Sequence, residues 1–210
     1  MNTRVVIFVF GFTLLPSTVP AVEEEGPPKG FRALLSQDSL AQWKTGDNIA
    51  KHWKLVDGVL HYDGKGERKG GTDDALNLVT RRAYRNFELW VDWKIAAASD
   101  SGIYLRGCPQ IQIWDIRKYP EGSGGLYNNQ KNPSKPLKPA DNPVGQWNTF
   151  KIRIIGDTVT VRLNDVLVVD NVTMENYFDR SKPIPSEGSI GLQHHRSPIS
   201  FRNIYVKELR

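Results

Sequence analysis

Alternation of apolar and polar residues is the feature that most restricts how this chain can fold. The clearest case is residues 86–96, NFELWVDWKIA, in which every second residue from Phe87 to Ile95 is large and apolar. Successive side chains of a strand point to opposite faces, so this pattern predicts a strand with one buried face. The polar face of that strand carries Glu88, Trp90, Asp92 and Lys94.

Similar runs recur along the chain, and turn signals such as Asp57-Gly58, Gly156-Asp157 and Asn164-Asp165 separate several of them. The other predicted strands lie in residues 31–35, 52–63, 75–80, 101–115, 147–156, 158–165, 166–171, 188–195 and 199–209. Only residues 173–178, TMENYF, suggest a helical turn. About a dozen strands without an internal repeat predict an all-β domain, a sandwich rather than a barrel.

The first 21 residues have the pattern of a secretory signal peptide. Arg4 precedes an apolar run from Val5 to Leu15, and small residues end at Ala21, where we expect cleavage. An uncleaved membrane anchor is the alternative, but an 11-residue run is short for a bilayer span. We therefore expect a flexible leader over residues 22–30 and one domain over 31–210, exported to the periplasm or beyond the cell and not membrane-bound.

Charge and cysteine content exclude some classes of protein. The net charge is +5, from 28 Lys and Arg against 23 Asp and Glu, and the basic residues are scattered along the chain. Scattered charge and the predicted export argue against nucleic-acid binding. The single cysteine, Cys108, cannot form an intramolecular disulfide, so we expect it to be a structural residue beside a turn.

The stretch 101–115, SGIYLRGCPQIQIWD, places amides and aromatic rings on one strand face. Its second half turns Gln110, Gln112 and Trp114 one way and the intervening isoleucines the other. Parity also predicts that Tyr104 and Arg106 share a face. An amide both donates and accepts hydrogen bonds, so this face could orient sugar hydroxyls, although solvent-facing polar residues would give the same pattern.

The ionisable candidates each have a structural alternative. Asp92 could be a base or could pair with Lys94 or Arg106, and Asp115 could cap the turn after its strand. His194 and His195 could be catalytic or structural, and parity does not decide which ring reaches the polar face, because strand ends often bulge. No His-Glu or Cys cluster has metal-ligand spacing. Asp73-Asp74 could bind calcium, but so could most acidic loops.

Residues 117–145 contain five prolines and four glycines and have no strand pattern. A loop of this length in a compact domain is usually functional or disordered. We expect an ordered loop over the site, because Tyr119, Leu126 and Tyr127 give it apolar side chains to pack.

Taken together, these motifs resemble the 3-keto-disaccharide hydrolase family over residues 31–209. The resemblance is carried in order by WKLVDGVL, NFELWVDWKI, SGIYLRG, QIQIWD, GGLYNN, GQWNTFKIRIIGDTVTVRLND and GSIGLQHHRSPISFRNIYV. It implies a concanavalin-A-like jelly roll and cleavage of 3-keto-glycosides by elimination and hydration or by net hydrolysis. A divalent metal is possible, and the implied ligand is an oligosaccharide or glycoside.

The resemblance, together with the predicted strand faces, suggests roles for individual residues. Asp92 or His194 would be the base and Arg106 would stabilise the oxyanion. The sugar would be bound by Glu88, Trp90, Tyr104, Gln110, Gln112, Trp114, Asp115, Tyr127, Gln193 and His195. The family usually has an acidic residue where Gln110 stands, so a non-catalytic carbohydrate-binding module is the alternative, and a protein-interaction domain is a third reading.

Overall fold

The computed structural model describes residues 26–66 and 76–210. The signal peptide prediction and the Asp73-Asp74 pair therefore lie outside the described residues. The helix and strands of the described part are, in chain order, β1 Arg32–Ala33, α1 Asp47–His52, β2 Trp53–Val56, β3 Val59–Tyr62, β4 Leu78–Val79, β5 Phe87–Ile95, β6 Asp100–Tyr104, β7 Gln110–Trp114, β8 Asn148–Ile155, β9 Thr158–Leu163, β10 Val166–Thr173, β11 Gly191–Leu192 and β12 Ile199–Glu208.

The strands form two antiparallel sheets, as the sequence predicts. The larger has eight strands in the order β10-β9-β8-β5-β12-β3-β2, with β1 also paired to β12. The smaller has four strands in the order β4-β11-β6-β7. This is the predicted all-β sandwich, and its fold is the concanavalin-A-like jelly roll.

One hydrophobic core fills the space between the sheets. The apolar face of β5, for example Val91 and Trp93, belongs to the same buried cluster as Ile111 and Ile113 of β7. Because side chains alternate, the polar residues of β5 lie on the outer face of the larger sheet. The polar residues of β7 lie on the outer face of the smaller sheet, on the opposite side of the molecule.

Hairpin turns follow the residue types that predicted them. The β2–β3 turn at Asp57-Gly58 and the β9–β10 turn at Asn164-Asp165 both have positive φ at their two central residues. Asn, Asp and Gly are the residues that adopt this conformation at least cost. These turns set the register of their hairpins.

The helix prediction is wrong. Residues 173–178 hold no helix, since β10 extends through Thr173. The one helix of the described residues is α1, whose six residues carry a single buried side chain, Ile49. So short a segment shows no periodicity that would reveal it in the sequence. No helix of the described residues is long and apolar enough to cross a bilayer.

The loop of residues 117–145 is packed against the sandwich. Gly124 N–H donates to the carbonyl of Gln112 at 2.8 Å, and Gln112 N–H donates to the carbonyl of Gly125 at 2.9 Å. This part of the loop adds a short edge segment to β7, and Leu126, 1% exposed, joins the core. Farther on, Leu137 N–H donates to the carbonyl of Val168 in β10, so the loop spans from the smaller sheet to the larger.

Candidate functional site

The outer face of the smaller sheet gathers most of the predicted ligand-binding residues. In the β6–β7 register, Tyr104 lies opposite Gln110 and Gly102 lies opposite Gln112. A Cβ at Gly102 would stand 2.2 Å from Gln110 Nε2, so only glycine lets the Gln110 side chain lie across the sheet at this point. Gln110 is thereby directed along the face toward Gln112.

Three glutamines form a continuous hydrogen-bonded chain on this face. Gln110 Nε2 donates to Gln193 Oε1 at 2.8 Å and to Gln112 Oε1 at 3.1 Å. At one end, Gln193 Nε2 donates to Tyr104 Oη at 3.1 Å. At the other end, Gln112 Nε2 donates to Asp100 Oδ1 at 2.7 Å. Gln110 and Gln112 are only 4% and 3% exposed, so a ligand would meet the half-buried ends of the chain first.

Asp100 is the ionisable end of this chain. Burial raises the pKa of its carboxyl above the ordinary value, and the opposing effects of His195 and of the Gln112 hydrogen bond do not cancel the rise. His195 Nδ1 lies 3.8 Å from Asp100 Oδ2, and both side chains are about one-third exposed. A carboxyl with a raised pKa that remains accessible from solvent is the usual description of a general base.

An aromatic cluster stands beside Asp100. Trp114, the register partner of Asp100, stacks on Tyr119 with ring centroids 4.4 Å apart and meets Tyr127 edge-on at 6.0 Å. Trp114 Nε1 donates to the carbonyl of Gly122 at 2.7 Å, which fixes the indole to the loop. Tyr127 is 60% exposed. The loop of residues 117–145 therefore contributes aromatic rings to this face, as predicted.

Asp115 has the structural role that the sequence left open for it. It is 2% exposed, forms an ion pair with Arg117 at 2.6 Å and accepts the backbone N–H of Ala98 at 2.7 Å. The Arg117 hydrogen bond is the main reason that the pKa of Asp115 lies far below the ordinary value. Burial alone would raise this pKa, and backbone N–H donors help to lower it. Asp115 holds the turn after β7 and is not accessible to a ligand.

Asp92, Glu88 and Trp90 lie on the other side of the sandwich. Asp92 accepts from Thr149 Oγ1 at 2.6 Å and pairs with Arg202 at 3.2 Å. The structural alternative of an ion pair is therefore the one observed, with Arg202 in place of Lys94 or Arg106. We call the outer face of the smaller sheet, with Gln110, Gln112 and Gln193, the glutamine face. The prediction that Asp92, Glu88 and Trp90 join it is wrong, since β5 belongs to the larger sheet, whose outer face is on the other side of the core.

Arg106 is also absent from the glutamine face. Its φ of 54° lies in the left-handed region, which ends the alternation that predicted a shared face with Tyr104. The side chain is 3% exposed, and its Nη1 donates to the carbonyl of Pro185 at 3.3 Å. Burial lowers the pKa of Arg106, the charge of Arg85 adds to that effect, and Asp157 opposes it. Arg106 therefore does not reach a ligand on this face.

The His194 and His195 rings lie on opposite sides of the smaller sheet, as alternation along a strand allows. His194 is 1% exposed, its Nδ1 lies 3.0 Å from Asn77 Oδ1, and its ring meets Tyr62 edge-on at 5.9 Å. It is a structural histidine on the core side, and its predicted role as base does not fit this position. His195 is the ring on the outer face, beside Asp100.

Asp100 was missed by sequence reasoning although its signal was present. The predicted strand began at residue 101, whereas β6 begins at Asp100. The parity of Asp100, Gly102 and Tyr104 would have placed the carboxyl on the same face as the predicted aromatic ring. Within residues 26–66 and 76–210, no group of three or more His, Cys, Asp or Glu side chains is arranged to hold a metal ion.

The two antiparallel sheets, with polar and aromatic side chains on the outer face of the smaller one, form a jelly-roll β-sandwich that is similar to solved structures. A candidate glycosyl hydrolase from Parabacteroides distasonis has a TM-score of 0.66 and 22% identity, covering 86% of this chain and 95% of its own. The carbohydrate-binding module CBM66 of Bacillus subtilis has a TM-score of 0.51 and 14% identity, covering 80% of this chain and 96% of its own. At these identities the likeness shows the fold alone.

The family is shown by the sequence. Residues 30–207 match the family described as the 3-keto-alpha-glucoside-1,2-lyase-like domain, and the chain belongs to that family. A 3-keto-disaccharide hydrolase of Bacteroides thetaiotaomicron is 26% identical, over 78% of this chain and 72% of that protein. The family resemblance in the sequence is therefore confirmed.

Proposed function

We propose that this protein cleaves 3-keto-glycosides, with Asp100 as the base. The observation that carries the proposal is the position of Asp100. Its carboxyl has a raised pKa, receives a hydrogen bond from Gln112, and lies beside an exposed aromatic cluster in a family described as 3-keto-alpha-glucoside-1,2-lyase-like. A single base suffices for such an elimination, whereas ordinary glycoside hydrolysis uses a pair of carboxylates.

The proposed reaction is an elimination followed by the addition of water. The C3 ketone makes the C2 proton acidic, and the Asp100 carboxylate removes that proton, so the C2–H electron pair forms an enolate through the C3 oxygen. The enolate then expels the C1 substituent with its electron pair, which leaves as an alcohol once protonated, and a C1=C2 double bond forms. Water then adds hydroxyl to C1 and hydrogen to C2, which yields free 3-keto-glucose.

Neighbouring residues support this assignment. His195, with Nδ1 3.8 Å from Asp100 Oδ2, is a second ionisable group beside the proposed base. The Trp114 and Tyr127 rings offer the apolar surface on which a pyranose ring stacks. The glutamine chain holds Asp100 in place through Gln112 and presents Gln193 to the sugar hydroxyls.

The test is turnover of 3-keto-trehalose by the purified protein, with release of 3-keto-glucose as the readout. We expect Asp100→Asn to lower kcat by about 10²-fold or more, because the base is lost while the shape is kept. Asp165→Asn, at a side chain that is 76% exposed in the β9–β10 turn, is the matched control and should turn over normally. Full activity of Asp100→Asn would overturn the assignment of the base.

A carbohydrate-binding module is the second candidate function, and Gln110 favours it. The amide at this position cannot transfer a proton and is engaged with two other glutamines. If the wild-type protein binds trehalose but releases no 3-keto-glucose from 3-keto-trehalose or from the 3-keto derivative of methyl α-glucoside at any pH between 5 and 9, the binding module is the correct function.

A further inference from the structure

Beyond the glutamine chain, the same sheet face contains a cavity of about 180 Å³ with a mostly apolar lining, to which Asn77 and Ser189 add polar side chains. Its floor is Gly191 of β11, and Val79 and Tyr104 flank that floor from the neighbouring strands. Phe178, from the segment between β10 and β11, forms part of its wall. Apolar cavities of about 150 Å³ are large enough to hold a benzene ring.

Glycine is what keeps the floor of this cavity open. A Cβ at position 191 would lie 3.3 Å from Val79 Cγ1 and 3.4 Å from Tyr104 Cβ. The backbone at Gly191 does not have a positive φ, so the close approach of neighbours, rather than backbone conformation, is what a larger residue would meet. The space above Gly191 is therefore available to a ligand that enters from the solvent side.

The wall residue is held in place although it is exposed. Phe178 is 57% exposed, yet its backbone N–H donates to Asn176 Oδ1 at 3.1 Å. The preceding N–H, of Tyr177, donates to the buried Cys108 sulfur at 3.0 Å. The Phe178 ring is therefore exposed on a segment whose backbone is anchored.

The cavity lies in line with the proposed catalytic end of the face. Tyr104 and Asp100 are the two ends of β6, four residues or ~13 Å apart. Gln193, hydrogen-bonded to Tyr104, lies between them. A keto-sugar that stacks on Trp114 beside Asp100 with its C1 facing Tyr104 would extend its C1 substituent along β6 toward the cavity.

Resting on the function proposed above, we infer that this cavity is the leaving-group site and that the preferred substrates are 3-keto-glucosides with an elongated aromatic leaving group. The Tyr104 and Phe178 rings offer it two aromatic surfaces, and Val79 and Gly191 offer it apolar ones. A disaccharide would place a hydroxyl-rich ring against these walls, where Asn77 and Ser189 offer polar partners to only some of its hydroxyls.

The experiment compares two unreactive glycosides, 4-methylumbelliferyl α-glucoside and methyl α-glucoside, by calorimetry or ligand-observed NMR. We expect the aryl glucoside to bind the wild-type protein at least about tenfold more tightly. Phe178→Ala should weaken aryl binding by about three- to tenfold, the range of one aromatic contact, and leave methyl glucoside unchanged. Gly191→Ala, which raises the cavity floor, should do the same.

The control is Val56→Ala, which truncates an apolar side chain that is 54% exposed on the larger sheet and should change neither affinity. Thermal unfolding of each variant checks that it is folded, and Phe178 is exposed enough that its removal should not unfold the protein. Equal binding of the two glycosides by the wild type, or an unchanged aryl affinity in Phe178→Ala, would overturn the inference.

Turnover separates this inference from the proposed function. If the 3-keto derivative of methyl α-glucoside is cleaved but no aryl preference is found, the leaving-group site is wrong and the proposed function stands. If the aryl preference is found and depends on Phe178, the cavity is a ligand site even when no 3-keto-glycoside is cleaved. In that case it is the proposed reaction that fails.

Discussion

At the residue scale, two aspartates at the same end of the β6–β7 strand pair have opposite properties. Asp115 is ion-paired with Arg117 and fully engaged, and its pKa is strongly lowered. Asp100 is partly buried with a neutral donor, Gln112, and its pKa is raised. A general base needs a carboxylate that binds a proton readily, which a raised pKa indicates. Asp100 is therefore better suited to the role of base than Asp115.

This environment has a consequence for stability. Burial raises the pKa of Asp100 above the ordinary 3.8, so the folded state holds that proton more tightly than the unfolded state. Protonation of Asp100 therefore stabilises the folded state below pH 3.8, and this stabilisation is lost as the pH rises through the raised pKa of Asp100. At neutral pH the ionised carboxylate destabilises the fold.

We accordingly expect Asp100→Asn to be more stable than the wild type at pH 7 and to lose that advantage near pH 3. The asparagine keeps an oxygen that can accept from Gln112, so the hydrogen-bonded chain is preserved. Urea unfolding of both proteins at the two pH values measures the difference. An advantage of the same size at both pH values would show that ionisation is not its cause.

At the element scale, the loop of residues 117–145 depends on an anchor outside itself. Glu175 accepts the backbone N–H groups of Gln130, Lys131 and Asn132 at 2.7–3.0 Å. It also pairs with Arg180 at 2.9 Å. One carboxylate thus connects the loop that carries the aromatic rings to the segment that carries Phe178.

We expect Glu175→Gln to destabilise the protein by about 1–3 kcal/mol, because the amide cannot replace the charge-assisted bonds. Burial alone would raise the pKa of Glu175, but the three backbone donors outweigh it and lower the value to about 2. The stabilisation is thus present above pH 4.5 and disappears as the pH falls toward about 2. Thermal unfolding at pH 7 and in acid measures both effects.

Hydrogen exchange locates the Glu175 effect. The amides of residues 130–132 should exchange faster in Glu175→Gln at pH 7. Glu208→Gln is the matched control, because Glu208 pairs with Arg82 at a site where both side chains are about half exposed. Unchanged protection of residues 130–132 would contradict the anchoring role.

At the scale of the whole molecule, the core separates two polar faces. The glutamine face belongs to the smaller sheet, and the Asp92 face belongs to the larger one. Lys151 lies over the Trp90 ring at 4.6 Å on the Asp92 face, so that tryptophan is already covered by a cation. Contacts on one outer face do not extend through the core to the other.

We expect Asp92→Ala to lower the free energy of unfolding by about 1–3 kcal/mol, because Thr149, Arg202 and Asn203 lose their shared acceptor. Binding of methyl α-glucoside by the folded variant should match the wild type. Urea unfolding and calorimetry measure the two quantities. Weaker binding with unchanged stability would return Asp92 to the ligand site.

The sequence by itself determined the strands, their faces and their turns. Period-two alternation in β5 and the positive-φ residues at Asn164-Asp165 depend on neighbours along the chain, so local physics decides them. The order of family motifs likewise identified the jelly roll. The six-residue α1 escaped prediction because its signal is too short, and Asp100 escaped because the predicted strand began one residue too late.

Only the tertiary structure decided which polar faces meet. Alternation says that Asp92 and Gln112 each lie opposite an apolar face, but it does not say that β5 and β7 belong to different sheets. Sheet membership follows from pairing between distant segments, such as β11 with both β4 and β6. The same long-range packing put Asp100, His195 and Trp114 together and buried His194 and Arg106 elsewhere.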